Sequence, residues 1–203
     1  MHMSADKPQV ALVTGASRGA GKGIAHALGE HGMTVYVTGP STSASDSPFG
    51  GTVAETAKLV SEVGGEGIPV ICDHADPEHI QRLLEQIERE QGRLDILHNN
   101  VTDIHDELIT PSPFYRRSVD LVKILDVGLK SAYYACYYAA PMLTRQKGGL
   151  VSFSSSFGSA CYMHGPAYGA QKAGVDKFAA DMAVDFEKDR VCCVSIWMGP
   201  LLT

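Results

Sequence analysis

"VALVTGASRGAG", residues 10–21, runs from a short apolar stretch directly into a turn that holds Gly15, Gly19 and Gly21. An apolar run this short fits a buried strand better than a helix. The glycines permit a tight turn without Cβ clashes and let the next helix pack closely on the strand. Free N–H groups at the start of that helix form a phosphate-binding corner. The stretch therefore predicts strand, turn and helix, with Gly15, Ser17, Arg18, Gly19, Ala20 and Gly21 as candidate contacts to a dinucleotide. The next apolar run ends at Thr38, the spacing of a βαβ unit.

Outward from this corner, short apolar runs alternate with longer segments of helical period, the signature of an α/β fold. Strands are predicted at Val10–Val13, Thr34–Thr38, Gly67–Cys72, Leu94–Asn99, Gly149–Ser154 and Val191–Trp197, buried on both faces as in a parallel sheet. Helices are predicted near 20–31, 52–63, 77–91, 118–146 and 168–188, with Asp76 capping and Pro77 opening the third. Segments 39–51 and 101–114 are irregular and follow strand ends, where an open parallel sheet builds its ligand crevice. The 203 residues suit one domain, 1–203. A net charge of -6 with scattered basic residues argues against nucleic acid. Five cysteines without a CxxC pattern suit a reducing compartment, and cytoplasmic location is expected. No apolar segment is long enough to span a bilayer. The eight histidines follow no metal-ligand spacing, so no metal is expected.

A second constellation carries chemistry. Tyr168 and Lys172 are four residues apart on a predicted helix and share a face. A free phenol is a poor base near neutrality. An ammonium at about 5 Å, in an effective dielectric near 20, favours the ionised phenol by about 3.3 kcal/mol. A serine hydroxyl ending the preceding strand could hold a substrate oxygen against the phenol, and Ser155 is chosen among Ser154, Ser155 and Ser156. At the end of the second strand, Thr38, Gly39 and Pro40 stand where a 2′-hydroxyl reader would be acidic. Arg18, with Ser41 and Thr42, could meet a 2′-phosphate instead, which favours NADP and leaves NAD open.

Taken together, the chain resembles the short-chain dehydrogenase/reductase family. "TGASRGAG" is similar to its TGxxxGxG turn, "CDHAD" (72–76) to its strand-end aspartate, and "HNNV" (98–101) to its NNAG segment. "SSSFG" with "YGAQK" is similar to its Ser, Tyr-x-x-x-Lys centre, and "WMGPLLT" (197–203) to its PGxxxT segment. The resemblance implies a Rossmann-type, doubly wound, three-layer α/β/α fold. It also implies hydride transfer between NADP(H) and a carbonyl or alcohol substrate. By position, Tyr168 would be the general acid/base, Lys172 its partner and a ribose ligand, and Ser155 the carbonyl orienter. Gly39, Asp73, His74, Asn99, Val101, Gly199, Leu201 and Thr203 would line the cofactor, with Asp73 at the adenine and Asn99 steadying the sheet. Family habit implies a homodimer or homotetramer through the two long helices.

Several positions depart from the family pattern. Gly128 in "DVGLK" stands where the family has an asparagine that supports a water relay, so the expectation is a modified relay through the Gly128 carbonyl. This glycine, "YG" before the lysine and "DKFAAD" after it resemble the branch called dehydrogenase/reductase family member one. Val101 and Thr102 replace the alanine and glycine of NNAG, and Met198 replaces the proline of PGxxxT. Family members continue past this segment through a further helix and a seventh strand, so a longer polypeptide is expected. The competing expectation is a dinucleotide-binding sensor without turnover.

Overall fold

A computed structural model describes residues 8–41, 50–146 and 148–199. Six strands form one parallel sheet: β1 (Val10–Val13), β2 (Thr34–Gly39), β3 (Glu66–Ile71), β4 (Ile96–Asn99), β5 (Leu150–Ser155) and β6 (Cys192–Trp197), in the order β3-β2-β1-β4-β5-β6. The order reverses between β1 and β4, where Val13 stands opposite His98. A ligand crevice opens at such a switch point, beyond the carboxyl ends of the strands.

Strand alternation sends successive side chains to opposite faces. Ala11, Val13, Val35 and Val37 pack on one face with α1 (Gly19–Glu30) and α2 (Val53–Glu62). Val10, Leu12, Tyr36, Leu97, Val151 and Phe153 pack on the other with α3 (Pro77–Gln91), α5 (Ser131–Gln146) and α6 (Pro166–Asp185). The fold is the doubly wound three-layer class read from the sequence. Helix starts follow local chemistry. Thr52 and Glu55 form a reciprocal capping box on α2, and Asp76 caps α3 ahead of Pro77.

Two expectations differ from the structure. The edge strands β3 and β6 are partly exposed, since each has a neighbour on one side only. The single helix expected over 118–146 is four pieces: a 3-10 turn Val119–Val122, α4 (Lys123–Leu125), a π-turn Asp126–Lys130 and α5. Gly128 lies within the π-turn, and a Cβ there would fall 2.7 Å from Gln171 Nε2. Gln171 donates to the Gly128 carbonyl at 3.1 Å from its place in α6. The small residue admits a neighbouring helix's amide into the widened turn.

Candidate active site

The glycine corner has the shape that the sequence called for. Gly15 has φ +63°, and a Cβ on it would lie 2.7 Å from the Val101 Cα. The main chain after β4 thus packs against the turn even with valine at 101. Gly19 has φ +58° and begins α1, whose first turn has no acidic residue and whose N-cap, Arg18, makes no side-chain cap. Those N–H groups face no carboxylate of their own turn, as an anion site requires. Ser17 is buried, and Arg18 donates to the Gly50 carbonyl at 3.3 Å. Gly39 ends β2 beside Ser17.

His74 is buried, with Nε2 3.0 Å from the Thr38 hydroxyl. Burial lowers its pKa to about 4. Asp73 is exposed beside it and accepts the Ala75 N–H at 2.9 Å. Asn99 points to Cys136 Sγ at 3.5 Å. Its neighbour Asn100 ties down the turn, donating through Nδ2 to the carbonyls of Thr14 (3.2 Å) and Gly15 (2.8 Å). The sequence reading missed Asn100, although NN offers two amides and alternation lets only one face the turn. Gly199 is the last described residue; Thr42, Leu201 and Thr203 lie outside the described residues.

A buried polar line runs from Asn100 toward the lysine. With both Asn100 Nδ2 protons directed at carbonyls, its Oδ1 accepts from the Ser154 hydroxyl at 3.0 Å. Ser154 Oγ must then accept from His98 Nε2 at 3.1 Å, leaving Nδ1 to accept from Ser152 Oγ at 2.7 Å. His98 is thus a satisfied core histidine, and burial lowers its pKa to about 4. The Ser154 carbonyl in turn accepts from Lys172 Nζ at 3.1 Å.

Tyr168 and Lys172 share a face of α6, with Lys172 Nζ 5.4 Å from the centre of the Tyr168 ring. Lys172 is buried, and burial lowers its pKa to about 8 while Asp176, one turn further on, pulls it back up. The ammonium form therefore predominates at neutral pH. Burial also opposes the charge of Asp176, but Ser159, Ser155, Ser195 and Trp197 outweigh it and hold that pKa below the ordinary carboxylate value. Trp197 Nε1 donates to Asp176 Oδ2 at 2.9 Å.

The serine beside the phenol is Ser156. Its Oγ lies 2.9 Å from Tyr168 Oη and accepts the Gly158 N–H at 3.1 Å. Ser155, the residue chosen from spacing, faces α6 instead, 3.5 Å from the Lys172 carbonyl. Ser155 continues the alternation that buries Val151 and Phe153 under α6, whereas Ser156 has left the strand. The Gly128 carbonyl, expected to serve a water relay, already accepts from Gln171, whose Oε1 is buried without a partner among the described residues.

A glycine corner at the switch point thus stands with a phenol, a hydroxyl and an ammonium on the adjoining strand end and helix, in a doubly wound parallel α/β fold. The profile described as short chain dehydrogenase matches residues 9–203, and the chain belongs to that family. Dehydrogenase/reductase SDR family member 1 of Homo sapiens is 38% identical over 199 residues, which are 96% of this chain and 61% of that protein. The Mus musculus protein of the same name is 36% identical, over 97% of this chain and 62% of its own length. The chain thus spans less than two thirds of these two relatives. A metagenomic short-chain oxidoreductase solved in complex with NADP superposes with a TM-score of 0.81 at 26% identity, covering 95% of this chain and 82% of that one.

Proposed function

We propose that the chain carries the catalytic centre of an NADP(H)-dependent oxidoreductase that passes hydride between the nicotinamide and a carbonyl or alcohol carbon. The observation that carries this reading is the Tyr168–Ser156 pair at 2.9 Å, with the Lys172 ammonium one turn along the same helix. Bound at the glycine corner, NADP(H) would supply or accept the hydride. Gly15, Ser17, Arg18, Gly19, Ala20 and Gly21 would hold its phosphates on the uncapped start of α1. The NADP preference is supported by Arg18 on the turn and by Thr38, Gly39 and Pro40 in place of an acid after β2. The NADP complex of the metagenomic relative supports it further.

In reduction, Tyr168 donates its phenolic proton to the carbonyl oxygen as the carbon receives hydride. Ser156, oriented by the Gly158 N–H, hydrogen-bonds the same oxygen and holds it at the phenol. Lys172 stabilises the phenolate that remains. In oxidation the proton returns along the same path. Tyr133, Tyr137 and Val184, exposed on α5 and α6, support association into a homodimer or homotetramer. The five cysteines, all free, support a reducing compartment such as the cytoplasm.

The test is NADPH oxidation by the purified protein with a panel of ketones and quinones, beside Tyr168→Phe. Loss of about a hundredfold or more in kcat is expected. Equal rates in both proteins would leave only the sensor reading.

A further inference from the structure

The two loops that rise beside Tyr168 are buckled together by one side chain. The first, residues 100–118, follows β4; the second, residues 156–165, follows β5 and leads into α6. Arg117 donates through Nε to the Ser112 carbonyl at 2.8 Å and through Nη1 to the Leu108 carbonyl at 3.2 Å, gathering its own loop. Nη1 also crosses to the second loop and donates to the His164 carbonyl at 2.7 Å. Glu107 accepts the Ser118 N–H at 2.9 Å and so holds the segment that carries Arg117.

The receiving residue has an unusual backbone. His164 has φ +59°, and Gly165 after it has φ +106°, where a Cβ would lie 3.3 Å from Arg117 Nη1. A side-chain-bearing residue persists in the left-handed region where its surroundings over-determine it. The guanidinium on the His164 carbonyl supplies that constraint. In this conformation the imidazole stands edge to face on the Tyr168 ring, with centroids 4.9 Å apart and planes at 81°. The His164 side chain is half-buried, and its ring nitrogens make no hydrogen bond among the described residues.

We propose that Arg117 is a positioning residue that fixes His164 as a wall of the substrate pocket, and that the His164 ring binds a polar group close to the reacting carbonyl. This rests on the reading of Tyr168 as the acid/base. A substrate whose oxygen meets the phenol brings its neighbouring atoms within reach of the imidazole. A neutral imidazole offers one donor and one acceptor. The chemical class selected is therefore a carbonyl compound with a second hydrogen-bonding function a few bonds away, such as a keto ester. Arginine suits the buckle because its planar fork serves several carbonyls at once, which a lysine ammonium on a flexible stem cannot match.

The test compares wild type with Arg117→Met, Arg117→Lys and His164→Phe. Amide hydrogen exchange over 158–165 is read together with steady-state constants for ethyl acetoacetate and 2-pentanone. Both Arg117 variants are expected to speed exchange in that segment by about tenfold. They are also expected to raise the KM for ethyl acetoacetate by about fivefold while the KM for NADPH holds. His164→Phe keeps an aromatic ring and is expected to cut the preference for ethyl acetoacetate over 2-pentanone by about fivefold. Unchanged exchange in Arg117→Met, wild-type behaviour of Arg117→Lys, or an undiminished preference in His164→Phe overturns the proposal. Faster exchange in a protein whose wild type reduces no carbonyl would keep the buckle, and would sink both the substrate role of His164 and the acid–base reading of Tyr168.

Discussion

Two adjacent serines separate what spacing reveals from what direction decides. Tyr168 and Lys172 were legible because a helix fixes the angle between residues four apart. The serine was not, because a strand reverses direction at every residue and its last member is set by where the chain leaves the sheet. Ser155 completes the face under α6, while Ser156 reaches the phenol. Ser156→Ala is therefore expected to lower kcat by about tenfold to a hundredfold, and Ser155→Ala to change kcat by less than about threefold. Steady-state kinetics on the two variants decides the assignment, and the reverse order would restore Ser155.

At the scale of elements, the strands and the first three helices were readable from short apolar runs, caps and punctuating glycines. The stretch before α5 was not. Its sequence has helical period, yet the backbone widens into a π-turn at Gly128, whose carbonyl accepts from the amide of Gln171, 43 residues further along. No local pattern records such a neighbour. The glycine corner is the opposite case, since Gly15 combines a left-handed φ with main chain 2.7 Å from where its Cβ would stand. Gly15→Ala is expected to cost more than about 2 kcal/mol in stability and to weaken dinucleotide binding. Denaturant unfolding and NADPH titration measure the two effects. An alanine variant of wild-type stability would mean that the β4 loop does not press on the turn.

Across the whole molecule, burial sets the response to acid. His74 and His98 both have pKa values near 4 through burial, below the ordinary value of 6.5. The unfolded chain therefore binds more protons than the folded one between about pH 6.5 and pH 4, so their contribution is intact above that window and is lost as pH falls through it. Each histidine accounts for about 3 kcal/mol at the acid end. Tm measured from pH 7 to pH 4 is expected to fall steeply, and His98→Gln, which keeps a hydrogen-bonding side chain, is expected to flatten part of that fall. A pH-independent Tm over this range would contradict the burial of the two rings.

The sequence by itself determined the doubly wound class, the glycine corner and the Tyr168–Lys172 pair. Each is a matter of short-range periodicity or of a backbone conformation that few residues adopt. Tertiary structure alone decided which serine meets the phenol, that Asn100 rather than Asn99 braces the turn, that His74 is buried against Thr38, and that Arg117 joins two loops beside the site. These depend on side-chain direction at strand ends and on contacts between residues distant along the chain, which are settled only when the sheet and its helices have packed.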